Sequence, residues 1–202
     1  MRLTRPASRP ASAGFTLIEA LVCVAVLGLV SAGLATVLGG SSRANKTEQM
    51  KTKLRADARN CLAILENSLR SAGWDPGNHG LAAVALDPTP AGPDNYIEIF
   101  ADLNGDGDTN DDGEDVTIRH HLDRIEWRTS SDVSQPFVAL AAGVTNDADG
   151  DGTIEPMFTP DDPAAPTRVT IRVTTRSAQV DPSSGTYLRA TLSSTVTLRG
   201  SL

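Results

Sequence analysis

The sequence predicts an α+β fold in which one long N-terminal helix, membrane-length in its first half and amphipathic in its second, packs on an antiparallel β-sheet. Three observations predict it. Residues 15–38 form an apolar run with a single charge. Residues 43–70 keep apolar side chains at helical spacing and contain neither Pro nor Gly, and beyond Gly73 the apolar pattern changes to alternation. A chain of 202 residues has room for one domain with its own core plus an appended segment, and 40% hydrophobic with 21% charged residues fits neither wholesale disorder nor a polytopic membrane protein. The net charge of −7 excludes a general nucleic-acid binder, because phosphate affinity comes mostly from clustered Lys and Arg.

Charge is unevenly placed. Residues 1–14 carry Arg2, Arg5 and Arg9 and no acid, and read as a basic leader peptide that is removed; without those arginines the net charge is −10. Residues 15–38 follow as a transmembrane segment, which at about 1.5 Å per residue reaches roughly 36 Å, enough to cross a bilayer. A secretory signal peptide cut near Ser31, Ala32, Gly33 and Ala35 fits the same composition. Glu19 separates the two readings better. A carboxylate inside an apolar stretch costs about 2.5–3.5 kcal/mol on insertion, so it is retained for a partner, and a signal peptide has no use for it.

The run Gly14-Phe15-Thr16-Leu17-Ile18-Glu19-Ala20-Leu21-Val22 resembles the processing motif of type IV prepilins and the related pseudopilins of type II secretion. The resemblance implies that prepilin peptidase cuts after Gly14, that Phe15 becomes the N-methylated amino terminus, and that Glu19 is the assembly partner of that amine. An ammonium and a carboxylate that neutralise each other in lipid remove much of the burial cost of both. The favoured geometry pairs Glu19 of an incoming subunit with Phe15 of its neighbour; a contact across one turn of the same helix is the alternative. Basic residues flank the apolar segment on both sides, with Arg43, Lys46, Lys51 and Lys53 following it, so orientation rests on the resemblance. It implies a single-pass protein of the bacterial inner membrane with a periplasmic C-terminal domain, incorporated into a pilus or pseudopilus.

Residues 39–73 read as an amphipathic stalk helix. Met50, Leu54, Ala58, Cys61, Leu65 and Leu69 recur at steps of three or four and make one narrow apolar stripe, which ends near Ser71-Ala72-Gly73 ahead of Pro76. Cys23 and Cys61 are separated by 38 residues, roughly 57 Å along an unbroken helix, too far for a disulfide. Their spacing also offers no zinc site.

Residues 74–202 read as a β-rich globular domain. Alternation is visible in Tyr96–Phe100, Val116–Ile118, Arg124–Trp127 and Arg168–Val173, and in Tyr187–Leu198, where Leu188, Ala190, Leu192, Ser194, Val196 and Leu198 share one face. The last two segments, joined through Asp181-Pro182-Ser183-Ser184-Gly185, form a hairpin with a loose loop. The helix-end run Leu65–Trp74, the strand Arg168–Val173 and the terminal Thr195–Gly200 are similar to the PilW-type minor pilins and the larger minor pseudopilins, whose fold is pilin-like.

Two acidic loops interrupt this domain. Residues 102–115 and 147–162 hold seven and six of the 25 acidic side chains and no Lys or Arg. Asp102, Asn104, Asp106 and Asp108 place oxygens at alternate positions around a Gly turn, as do Asp147, Asp149 and Asp151. Both runs resemble the first half of an EF-hand loop, which suits calcium because that ion takes six to eight oxygens in flexible geometry. Position twelve is Gly113 in one and Phe158 in the other, so the bidentate Glu is missing, and Glu114 or Asp115 and Glu155 are the nearby substitutes. The competing reading is a pair of solvated acidic turns.

Catalysis has little support. His120 and His121 are adjacent on a strand and point to opposite faces, His79 stands in a Gly-rich loop, and there is no nucleophile elbow, phosphate-binding loop or H-E-x-x-H helix. The expected function is therefore a non-enzymatic minor pilin that initiates or caps a type IV pilus with other major and minor pilins as partners. A minor pseudopilin of type II secretion is the alternative, and a calcium-dependent surface-binding module or adhesin on a membrane stalk is a third.

Overall fold

A computed structural model describes residues 15–86, 96–129 and 134–199; the leader, including Gly14, lies outside the described residues. The chain divides into two compact units, Met1–Asn45 and Lys46–Leu202.

Helix α1 runs from Leu17 to Ser71 without interruption, through Gly39 and Gly40, and Thr16 caps its start. Up to Lys46 every described residue is exposed. The burial that begins in the second unit falls on Thr47, Leu54, Ala58, Cys61, Leu62, Leu65 and Leu69. That is the stripe the periodicity predicts, with two differences: Met50 is only half-buried, and Thr47 and Leu62 join the buried face. The helix stops where Gly73 turns to a φ of 73° and gives its N–H to the Phe100 carbonyl at 2.8 Å, which ties the helix end to the sheet. Both cysteines are free thiols; Cys61 is a small core residue whose pKa is raised by burial and then by the nearby Asp57 charge.

Eight strands follow among the described residues. β1 (Val84–Leu86), β2 (Tyr96–Phe100), β3 (Asp115–His121), β4 (Arg124–Arg128) and β5 (Val138–Ala142) form an antiparallel meander in which each pairs with the next. β6 (Phe158–Pro160), β7 (Arg168–Val180) and β8 (Tyr187–Thr197) form a second antiparallel set, and Val144, just past β5, makes an antiparallel bridge to Thr175 in β7. The alternating segments are all strands. The short or weakly alternating β1, β5 and β6 carry no comparable signal, and the single sheet expected is two hydrogen-bonded sets sharing one core.

That core is built by α1 residues Leu62, Leu65 and Leu69 against Ile97, Ile99, Ile118 and Ile125 of the first sheet and Val169, Ile171, Val173 and Val196 of the second. Within Lys46–Leu202 the helix thus packs on antiparallel β-structure. Removing a fully buried leucine such as Leu65 from a core of this kind costs about 2–5 kcal/mol.

Two polar pins fix the register of helix on hairpin. The buried Thr175 hydroxyl donates to the Leu54 carbonyl at 3.1 Å. Further along, the Thr47 hydroxyl donates to Asp181 Oδ1 and lies 3.0 Å from the Ser183 hydroxyl. Asp181 also accepts the Ser184 N–H at 3.0 Å, while its own N–H and carbonyl bond Thr186 and Gly185. The β7–β8 loop is accordingly a tied clamp, not the loose connection its Pro, Ser and Gly content suggests. The Thr47 hydroxyl, followed by Ser184, holds the Asp181 carboxyl down from 3.8 to about 2. A depressed carboxylate pKa stabilises the fold above the unfolded value, near pH 4, and that stabilisation disappears as pH falls through about 2. Thr47→Val should therefore lower the melting temperature of the detergent-solubilised chain by a few degrees at pH 7. The gap between variant and wild type should close as pH approaches 2; an unchanged gap would mean that the hydroxyl acts through packing alone.

Candidate functional site

The N-terminal segment is built from elementary helix rules. Thr16 precedes the first helical residue and its hydroxyl accepts the Glu19 N–H at 3.3 Å, so Thr16 and Glu19 occupy the two ends of a capping-box spacing. This local signal, T-x-x-E ahead of an apolar run, was available in the sequence and gives Glu19 a role at the helix start beside the one the resemblance implies. An acidic side chain in the first turn also suits the helix dipole. Further along, the Thr36 hydroxyl donates to the Gly33 carbonyl at 2.7 Å, which satisfies it within the helix. Phe15 is 75% exposed and Leu17 83%, and every residue from 15 to 38 is exposed. The helix is long and apolar enough to cross a membrane. An all-round apolar helix is stable only against lipid or other helices.

A family model described as the prokaryotic N-terminal methylation motif matches residues 9–35. The chain carries the type IV prepilin-like signature. The matched span contains Gly14, Phe15 and Glu19. No curated protein and no solved structure matches the chain. The prepilin-like signature supports a type IV pilin or pseudopilin, and implies processing by prepilin peptidase and assembly with other pilins. The family is structural and not enzymatic. A membrane-anchored placement fits the prepilin-like helix.

The second cluster lies in the head of this prepilin-like chain, in the loop between β2 and β3. Asp102 and Glu114 are 0% and 2% exposed, and one carboxylate oxygen from each, with one from the exposed Asp106, lie within 4.8 Å of each other. Asp102 accepts the N–H groups of Gly105 and Gly107, and Glu114 Oε1 accepts those of Leu103 and Asn104 at 2.8 and 3.1 Å. Of the two nearby acids, Glu114 and not Asp115 belongs to this three-carboxylate group. Asn104 turns its amide to Asp106 and Asp111, and Asp108, which accepts the Asn110 N–H, is not among the three carboxylates. Asp115 is buried at the start of β3, its pKa raised by desolvation against the lowering charge of Arg128. Asp111 is likewise raised, first by desolvation and then by Asp106, Glu114 and Asp108.

His79 is not isolated. Its Nδ1 lies 3.3 Å from Asp75 Oδ1 and 3.9 Å from Asp102 Oδ2, on the flank of the loop. His120 is fully buried with Nε2 2.9 Å from the Val144 carbonyl, while His121 on the opposite face is half-buried, as the strand pattern predicts.

In the second loop Asp147, Asp149 and Asp151 also converge within 4.8 Å, while Glu155, outside that group, reaches back into the loop to accept the Ala148 N–H at 3.0 Å. This loop has a cation of its own. The Arg189 guanidinium reaches from β8, its Nη2 3.6 Å from Asp147 Oδ2, and lies so close over Gly150 that a Cβ there would come within 2.6 Å of it. Sequence distance concealed that partner, 42 positions beyond Asp147. Arg189→Ala should cost less than about 1 kcal/mol at physiological salt and more at low ionic strength. Thermal melts across a salt series check this, and a salt-independent loss would show that Arg189 acts by packing.

Proposed function

We propose that the chain is a minor pilin that joins other pilins through its N-terminal helix and initiates or caps a type IV pilus. The observation that carries this reading is the Gly14–Glu19 motif at the head of a helix that leaves every apolar side chain from Phe15 to Leu38 exposed. Prepilin peptidase cuts after Gly14, and Phe15 becomes a methylated ammonium. Glu19 then sits in lipid at a cost of about 2.5–3.5 kcal/mol, which the ammonium of a neighbouring subunit offsets in the filament. The helix stays in the inner membrane until that exchange, with residues 74–202 in the periplasm. The PilW-like pattern of Leu65–Trp74, Arg168–Val173 and Thr195–Gly200 supports the minor class.

Glu19→Ala tests the role directly. Processing should continue, while recovery of the variant in sheared filaments falls by at least tenfold; undiminished recovery would contradict the role given to Glu19. In a deletion strain, loss of piliation and twitching supports this reading, and loss of exoprotein release with intact pili would move the protein to a type II secretion pseudopilus.

A further inference from the structure

We infer that the loop Asp102–Asp115 is a calcium site whose ligands are Asp102, Asp106 and Glu114, and that the second acidic loop is not one.

Clustered acids are common on surfaces, and this cluster is set apart by what is buried in it. Glu114 is 2% exposed, and while Oε1 accepts two backbone N–H groups, Oε2 is buried with no hydrogen-bond partner among the described residues. A buried carboxylate oxygen without donor or cation is a costly arrangement, which a bound cation relieves. No Lys or Arg among the described residues pairs with Asp102, Asp106 or Glu114; the nearest basic group is His79, 3.9 Å from Asp102. The second loop also brings three carboxylates together, all from Asp residues, but already holds the Arg189 guanidinium beside Asp147. One loop thus lacks a counter-ion and the other contains it.

The donor set selects the ion. All three side chains offer hard oxygens, with no thiolate, which favours calcium or magnesium over zinc or copper. Three carboxylates that can each give one or two oxygens suit the irregular coordination of calcium, whereas magnesium requires a near-ideal octahedron and releases water reluctantly. The ion would also act on the fold. At the base of the loop the Ala101 N–H bonds the Glu114 carbonyl at 2.9 Å and the Asp102 N–H bonds the Trp74 carbonyl at 2.7 Å, just past the end of α1. Closing the loop on calcium therefore fastens the β2–β3 connection to the helix end.

The test uses the full chain in detergent, stripped with a chelator and titrated with calcium chloride or magnesium chloride by calorimetry and thermal melting. Wild type should bind one calcium, with a higher melting temperature, and respond at least tenfold less strongly to magnesium. Glu114→Gln keeps the Oε1 acceptor and removes the charge. It should weaken calcium binding at least tenfold, yet melt no lower than stripped wild type because a repulsive charge is gone. Asp106→Asn, at an exposed position, should weaken binding similarly, and Asp151→Asn should not. The inference is overturned by a wild type indifferent to millimolar calcium, by Glu114→Gln and Asp106→Asn variants that titrate like wild type, or by binding lost only with Asp151→Asn. None of these results bears on cleavage after Gly14 or on the role of Glu19.

Discussion

An apolar helix face left exposed is the constraint on which the rest depends. From Phe15 to Leu38 the side chains are exposed, and an uncovered surface of that size is stable only in lipid or among like helices. The helix therefore fixes where the protein resides and what its partners must look like. Glu19 is the exception within the stretch, and in the proposed filament its cost would give the association a register: apolar contact alone slides, whereas one carboxylate seeking one ammonium does not.

The same helix serves a second purpose in the unit that begins at Lys46. There its buried stripe supplies the wall on which both strand sets close, and the Thr47–Asp181 and Thr175–Leu54 bonds set which turn of the helix meets which part of the hairpin. Hydrophobic burial holds the helix down, and the polar pins select one register among several that would bury similar area. At the far end, Gly73 and Trp74 hand the helix terminus to Phe100 and Asp102, so the acidic loop grows directly from that joint.

Local patterns were legible in the sequence and distant pairings were not. The membrane-length run, the stripe ending at Ser71 and the alternating strands follow from periodicities of 3.6 and 2, which any short window reveals. The motif from Gly14 to Glu19 is equally local, and so is the T-x-x-E spacing at Thr16, whose hydroxyl accepts the Glu19 N–H. By contrast, Arg189 beside Asp147, His79 beside Asp102 and Thr47 beside Asp181 join residues far apart in the chain. Composition makes the two acidic loops look alike, and only the fold shows that one of them receives a guanidinium. β1 and β6, at three residues each, are too short for alternation to register, and the alanine-rich Val138–Ala142 has too few β-branched or aromatic residues to produce a pattern.

The most direct measurement is mass spectrometry of the N-terminal peptide of the mature protein recovered from membranes and from sheared filaments. A chain beginning with N-methylated Phe15, with residues 15–38 still attached, is the predicted result. A mature chain that starts beyond Ala35 and is recovered from the soluble periplasmic fraction would contradict it, since no rod would remain to anchor or assemble.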